Sequence, residues 1–199
     1  IPASIRINTV LKDIGARLLT DIEARFPDPN TGQRAGTAPD GSPITARETG
    51  YVQAISFSRL ERIAQRENGK LKLAVRTGDF VHPKVVIAYW ADMDVVEDCP
   101  DADVRECFTL GSMRTPSQDM QFLIDELVEI GLRALSPGIN DPFTAVTAVH
   151  WLGAATAELG RRDLTRSYAS NGEEPRVVLL EDDFEHFVSR GFGAMRGGL

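Results

Sequence analysis

The chain has 199 residues, of which 42% are hydrophobic and 26% charged, and its formal net charge is −7. These values are typical of a globular protein that buries a core. The negative charge argues against nucleic-acid binding, which needs clustered Lys and Arg. The sequence contains no run of 18 or more apolar residues of the kind that spans a bilayer.

The first 43 residues are predicted to form a helix followed by a loop. Leu11, Ile14 and Leu18 recur at spacings of three and four, which places them on one face of a helix over residues 3–26. Residues 27–43 contain Pro, Gly, Asn and Asp without periodicity, and this composition predicts a loop.

Residues 44–95 are predicted to form a small β-rich unit. Residues 44–56 favour extended structure, whereas residues 57–67 return to helical spacing and end at Asn68-Gly69. The alternation in KLKLAVR and the apolar run VVIAYW indicate two further strands.

Residues 96–199 are predicted to be mostly helical. A short helix is expected over residues 101–109, and a long helix with Thr115 as its N-cap and Pro116 as its first residue. Another helix, rich in small residues, is predicted to start at Pro142.

The end of the chain is predicted to contain a short strand, RVVLL, and a last helix. Asp182 or Asp183 is expected to cap that helix, with Phe184, Phe187 and Val188 facing inward. The final residues GFGAMRGGL contain no clear helix stop.

These elements predict an α+β fold, with a helical core and a small β-rich unit in the first half. We expect one compact soluble domain made of residues 1–43, 44–95 and 96–199. Because the chain begins with Ile1 rather than Met and its final residues contain no clear helix stop, we also expect it to be truncated at both ends.

The segment RALSPGINDPFTAV places six turn-forming residues between two long apolar runs, and these residues have a local structural explanation. Pro137 ends a helix, and Gly138 can adopt positive φ. Asn140 tolerates a left-handed backbone. Asp141 is a suitable N-cap for a helix whose first residue is Pro142.

The same segment also has a functional interpretation, because a helix N-terminus can bind anions. A second polar group, RTPSQD at residues 114–119, lies at the opposite end of the preceding helix. A helix of about 19 residues is roughly 28 Å long, so the two groups cannot meet within one helical hairpin.

The motifs R-T-x-x-Q-D and LVEIGLRALSPGINDPFTA resemble a bacterial family of predicted membrane proteins known as domain of unknown function 2254. GYVQAI at 50–55 and GDFV at 78–81 resemble the same family in the same order. Lys84 departs from it, since the family tends to have Gly there. The resemblance implies transmembrane helices before this region, but no established activity.

Ten residues match the family's motifs and form the candidate binding or structural site. We call them the signature residues: Gln53, Asp79, Arg114, Gln118, Asp119, Arg133, Ser136, Asn140, Asp141 and Thr144. The resemblance gives none of them a catalytic role.

No catalytic or metal-binding pattern is evident in the sequence. His82, His150 and His186 do not share metal-ligand spacing, and no nucleophile elbow, zincin motif or phosphate loop is present. We therefore expect no cofactor, no metal and a non-catalytic role in assembly, ligand sensing or gating. The alternative is a hydrolase or metal-dependent enzyme that uses Asp119, Asp125 or Asp141.

Apolar residues lie on more than one side of the long helix, because Phe122 and Ile130 fall off the stripe that contains Ile124 and Leu127. Extra apolar surface usually finds a partner, so we expect a symmetric homo-oligomer attached to a membrane-spanning region.

Cys99 and Cys107 have neither C-x-x-C spacing nor a His placed to complete a zinc site. Two ordinary thiols favour the cytoplasmic side of the cell membrane.

Overall fold

The computed structural model describes residues 3–26, 41–91, 100–162, 164, 167–168, 175–180 and 184–196. The predicted loop at 27–40 therefore lies outside the described residues, as do Cys99 and the predicted caps Asp182 and Asp183. Helices and strands are mixed along the chain, which confirms the α+β class.

The elements follow one another in the order α1 (Ala3–Arg25), β1 (Ser42–Thr45), β2 (Gly50–Ile55), α2 (Phe57–Arg66), β3 (Lys70–Leu73), β4 (Phe80–Val81), β5 (Val86–Ala91), α3 (Asp101–Arg105), β6 (Phe108–Gly111), α4 (Met120–Leu135), α5 (Pro142–Leu159), β7 (Ser167–Tyr168), β8 (Val177–Val178), α6 (Phe184–Val188), a π-helical turn (Ser189–Gly193) and α7 (Ala194–Arg196). None of the helices in the described ranges is long and apolar enough to cross a membrane.

The chain divides into two compact units. The helical unit comprises residues 1–31, 120–164 and 182–199, and the β unit comprises residues 32–119 and 165–181.

Three helices, α1, α4 and α5, form the centre of the helical unit, and each contacts the other two. Leu11, Leu127 and Leu152 are among the fully buried members of its core. The small residues of α5 allow this close approach, because Ala148 is fully buried and lies against Gly131 of α4. The sequence correctly predicts the presence of these three helices, α1 and α4 from their apolar periodicity and α5 from its Pro142 start and its small residues.

The β unit contains two sheets. The larger has the strand order β1-β5-β3-β8-β7, in which only the β3–β8 pair is parallel, and the smaller has the order β4-β2-β6. Ile44, Leu71 and Val81 are fully buried in the core of this unit, and α2 contributes Leu60 to the same core.

The predicted start of the long helix is wrong. Thr115 and Pro116 lie in a turn, and α4 begins only at Met120. The side chains on either side of this turn are engaged elsewhere. Thr77 donates from Oγ1 to the Gln118 carbonyl at 2.6 Å, and the carboxylate of Asp119 is bound by Arg114. The contact from Thr77 is long-range, whereas the Arg114–Asp119 pair joins residues five positions apart within the segment. Both contacts stabilise a non-helical segment before α4.

Three smaller predictions also need correction. The helix predicted over 101–109 ends at Arg105, and β6 begins at Phe108 after a two-residue turn. Phe184 is 44% exposed rather than buried, although Phe187 does face the core. Phe122 and Ile130 are partly buried against the core of the helical unit, so α4 does not present the extra apolar surface that the sequence suggests.

Candidate functional site

The signature residues fall into two clusters, one in each unit. Gln53, Asp79, Arg114, Gln118 and Asp119 belong to the β unit, and we call them the Asp119 cluster. Arg133, Ser136, Asn140, Asp141 and Thr144 belong to the helical unit, and we call them the corner cluster.

A buried ion pair lies at the centre of the Asp119 cluster. The side chain of Asp119 is only 2% exposed, and that of Arg114 is 20% exposed. Both Nε and Nη2 of Arg114 lie 2.7 Å from Oδ2 of Asp119. Because a buried charge is costly without its partner, this pair requires both residues.

Gly78 packs directly on the carboxylate of Asp119. Its φ of +93° lies in the left-handed region, and a Cβ at this position would lie 2.2 Å from Oδ2 of Asp119. Asp79 fixes the same turn, since its Oδ2 accepts a 2.7 Å hydrogen bond from the backbone N–H of Arg76. The sequence identifies Asp79 as a site residue but not Gly78. The importance of Gly78 becomes evident only from its contact with Asp119, which is distant in sequence.

The two glutamines of the cluster satisfy backbone groups near a β-bulge. The register between β2 and β6 shifts between Val52 and Ala54, so Gln53 is the extra residue. The side-chain amide of Gln53 donates to the Met113 carbonyl at 2.8 Å. The side-chain oxygen of Gln118 accepts from the Ile55 N–H at 3.0 Å. Both contacts tie β2 to the segment that precedes α4.

These contacts make the Asp119 cluster a polar clamp. It joins the Gly78 turn, the bulge in β2 and the segment before α4, which are distant in sequence. The cluster combines one buried ion pair with side chains that bond to backbone groups of neighbouring segments. Buried polar contacts of this kind specify a unique local structure.

Lys84, where the sequence departs from the family's pattern, adopts a φ of +90°. This region of backbone space favours glycine, because a Cβ is strained there. The glycine that the family tends to have at this position therefore has a conformational explanation.

The corner cluster forms the connection between α4 and α5. Asp141 is the N-cap of α5, as the sequence predicts: its Oδ1 accepts from the Thr144 N–H at 3.2 Å and its Oδ2 from the Thr144 hydroxyl at 2.7 Å. The left-handed residue is Asn140, with a φ of +46°, whereas Gly138 does not have positive φ.

The remaining members of the corner cluster also have partners within the corner. The Ser136 hydroxyl donates to the Arg133 carbonyl at 2.7 Å, and the Arg133 side chain pairs with Glu129 on the exposed face of α4. The corner is therefore a tight capped turn, and the structural explanation of each residue accounts for its contacts.

The three carboxylates named for an enzyme have separate partners. Asp119 binds Arg114 and Asp141 binds Thr144, while Asp125 forms a two-point contact with Arg190 at 2.8 and 2.7 Å. In the described parts of the chain, no three metal-ligating side chains of the His, Cys, Asp or Glu type come together.

The acid stability of the corner is expected to depend on Asp141. Hydrogen bonds from the hydroxyl and the N–H of Thr144 hold the pKa of Asp141 below its ordinary value of 3.8. A lowered folded-state pKa gives stability that is present above about pH 4 and is lost as the pH falls through the folded-state pKa. We expect Asp141→Asn, which keeps a good cap, to reduce the loss of melting temperature between about pH 4 and pH 2.5.

Thermal unfolding of the wild type, Asp141→Asn and Asp141→Ala over this pH range tests the cap. At pH 7, Asp141→Ala should lower the melting temperature by roughly 2–6 °C, because it removes both hydrogen bonds to Thr144. Identical acid profiles for the wild type and Asp141→Asn would contradict the assignment. An Asp141→Ala variant that keeps its melting temperature but abolishes function in the full-length protein would point to a ligand role instead.

Comparisons with known proteins agree with the resemblance. The family model described as predicted membrane protein (DUF2254) matches residues 1–197. The uncharacterized protein Rv1290c of Mycobacterium tuberculosis and the uncharacterized protein Mb1321c of Mycobacterium bovis are each 29% identical to this chain over 170 residues. The match covers 81% of this chain but 33% of each relative, so the chain spans about a third of their length. No solved structure matches the chain.

Proposed function

Because the chain belongs to the DUF2254 family of predicted membrane proteins, we propose that it is a non-catalytic extramembrane domain through which copies of the membrane protein assemble. The alternatives for such a domain are ligand sensing and gating. One observation favours assembly over both: the outer face of α5 is exposed, carries large apolar side chains and, apart from His150, has no ionisable residue before Glu158.

Large apolar side chains lie on the first half of this face. Phe143 is 83% exposed, Val146 is 50% exposed and Val149 is 38% exposed. Contiguous apolar surface of this kind usually marks an interaction site. The exposed apolar surface is thus on α5, rather than on α4 where the sequence suggested it.

The side chains on the second half of this face are small. Ala154 and Ala157 are exposed there, and residues 142–157 contain no Asp, Glu, Lys or Arg. Phe143 lies seven residues before His150, and Ala157 lies seven residues after it. An antiparallel second copy, related by a twofold axis near His150, therefore places each Phe143 against the small Ala157 region of its partner.

The charge of the chain favours the same pairing. With a net charge of −7, most contacts between two copies bring like charges together. The α5 face avoids this repulsion because it carries no Asp, Glu, Lys or Arg before Glu158, and its one ionisable side chain there is His150.

The size of the face predicts weak association of the isolated chain. A helix of 18 residues is about 27 Å long, and one helix face covers less than the roughly 800 Å² per partner of a standard stable interface. A membrane holds its proteins in a plane and raises their effective concentration, so a weak contact is sufficient there.

Sedimentation velocity from about 1 µM to about 500 µM tests this proposal. We expect a monomer at low concentration and a dimer at high concentration, and we expect Phe143→Ser to abolish the dimer. Met113→Ser is the matched control, since Met113 is 66% exposed in the β unit and its loss should leave the dimer intact.

A strict monomer at all concentrations, or equal dimers from the wild type and Phe143→Ser, would reject assembly through α5. If the monomer binds phosphatidylcholine vesicles and Phe143→Ser abolishes that binding, the α5 face contacts lipid rather than a second copy of the chain.

We propose further that the domain faces the cytoplasm. Cys107 supports this side because its thiol is free and buried, and burial raises its pKa. In the full-length protein, a membrane-impermeant maleimide should modify Met113→Cys only after the cells are permeabilised, and labelling in intact cells would contradict this orientation.

A further inference from the structure

The β unit contains a cleft of about 290 Å³ that none of the signature residues lines. Its walls combine apolar side chains, among them Val81, Ile87, Phe108 and Leu110, with charged side chains at Arg47, Glu48, Arg105 and Glu106. Strands β4, β5 and β6 supply these apolar side chains, and α3 closes one side. A concave apolar site with a few fixed polar groups is the usual form of a small-molecule site.

Arg105 of α3 supplies the fixed polar group. Its side chain is 18% exposed, its Nε donates to the Thr45 carbonyl at 2.7 Å, and its Nη2 lies 3.1 Å from Oδ2 of Asp101. These contacts use two of the five N–H groups of the guanidinium. The other three have no hydrogen-bond partner among the described residues, so an anchored and largely buried cation lines the cleft.

The other charged residues of the cleft restrict which anion can enter. Glu106 does not compete for Arg105, because its Oε2 is bound by Arg59 at 2.6 Å. Glu48 and Arg47 lie side by side on the exposed loop that lines the cleft. The net charge of −7 disfavours anions, and most strongly those with more than one charge.

We propose that this cleft binds a small monocarboxylate with an apolar body. The guanidinium of Arg105 receives the carboxylate, and the apolar walls receive the body. A cleft of about 290 Å³ lies at the lower end of the size range of small-molecule sites, so it favours a small ligand. The site is independent of the proposed assembly, because the cleft and α5 belong to different units.

Phenylacetate has the required size and charge and is a suitable probe. We expect it to shift the amide resonances of Ile87, Arg105 and Leu110 saturably in heteronuclear NMR of the whole chain. 2-Phenylethanol has a similar aromatic body without the charge, and we expect it to bind at least about tenfold more weakly. Benzylphosphonate carries additional negative charge and should also bind more weakly than phenylacetate.

Two variants locate the binding. Arg105→Gln should reduce phenylacetate affinity at least about tenfold while leaving 2-phenylethanol nearly unaffected. Because Arg105 also anchors the Thr45 carbonyl, a second variant, Ala102→Trp, blocks the cleft from the exposed side of α3 without removing that anchor. Ala24→Trp, at an exposed position of α1, is the matched control and should bind phenylacetate normally.

The proposal is overturned if phenylacetate causes no saturable shift at about 10 mM, or if it binds no better than 2-phenylethanol. It is also overturned if a folded Ala102→Trp variant binds phenylacetate as the wild type does. Sedimentation of Phe143→Ser has no bearing on these outcomes, so failure of the ligand site and failure of assembly are distinguishable.

Discussion

Gly78→Ala is expected to lower the free energy of unfolding of the β unit by about 2–5 kcal/mol. Two effects combine in this variant. An L-residue at a φ of +93° is strained, and the new Cβ would lie 2.2 Å from Oδ2 of Asp119, far inside van der Waals contact. Asp119 cannot move away freely, because Arg114 holds its carboxylate in a buried position.

Urea unfolding measured by tryptophan fluorescence can test this prediction in a Trp151→Phe background. Trp90, which is 2% exposed in the β unit, is then the remaining reporter. Gly138→Ala is the matched control: Gly138 lacks positive φ, and a Cβ there has nothing within 4 Å. We expect the control to change stability by less than about 1 kcal/mol. A Gly78→Ala variant as stable as this control would show that the turn does not need glycine.

Asp119→Ala is expected to cost about 3–5 kcal/mol, because it leaves the Arg114 guanidinium without its carboxylate. The 20% exposure of Arg114 allows some hydration, which favours the lower end of this range. Asp119→Asn is the matched control, since it keeps the shape but removes the charge. If the charge is what matters, both variants lose stability, whereas a neutral effect of Asp119→Asn would assign the cost to packing.

The double variant Gly78→Ala with Asp119→Ala separates the two contributions to the Gly78 effect. Removal of the carboxylate removes the clash but leaves the strained backbone. The double variant should therefore lose less stability than the sum of the two single variants, with a coupling of about 1–3 kcal/mol. Strict additivity would show that the clash with Asp119 does not contribute.

The sequence predicts the elements whose pattern is local and long. Apolar residues recur at helical spacing from Ile7 to Ile22 in α1, while the Asp141-Pro142 start signal and the run of small residues indicate α5, so both helices are predicted with their ends nearly to the residue. The two-residue strands β4 and β7 are too short to show any alternation, and β6 follows α3 after only two residues. Such elements depend on partners elsewhere in the chain rather than on their own pattern.

The candidate site shows the same contrast between contacts of neighbouring residues, which the sequence predicts, and contacts of distant residues, which it does not. The cap by Asp141 involves residues three apart, and the sequence predicts it correctly. The contact of Gly78 with Asp119 and the bond from Arg105 to the Thr45 carbonyl join residues 41 and 60 positions apart, and no local pattern indicates them. The β-bulge at Gln53 likewise appears only when β2 is aligned with β6.

The division of the chain into units also has a consequence for its synthesis. The chain passes between the units four times, after residues 31, 119, 164 and 181. The apolar face of α1 packs on α4, but α4 begins at Met120, 95 residues after α1 ends at Arg25 (120 − 25 = 95). At about 5–20 residues per second, a ribosome needs roughly 5–20 s to make that stretch. During this time α1 has none of its partner helices, so the nascent chain presents an uncovered apolar helix to whatever chaperone or membrane surface lies nearest.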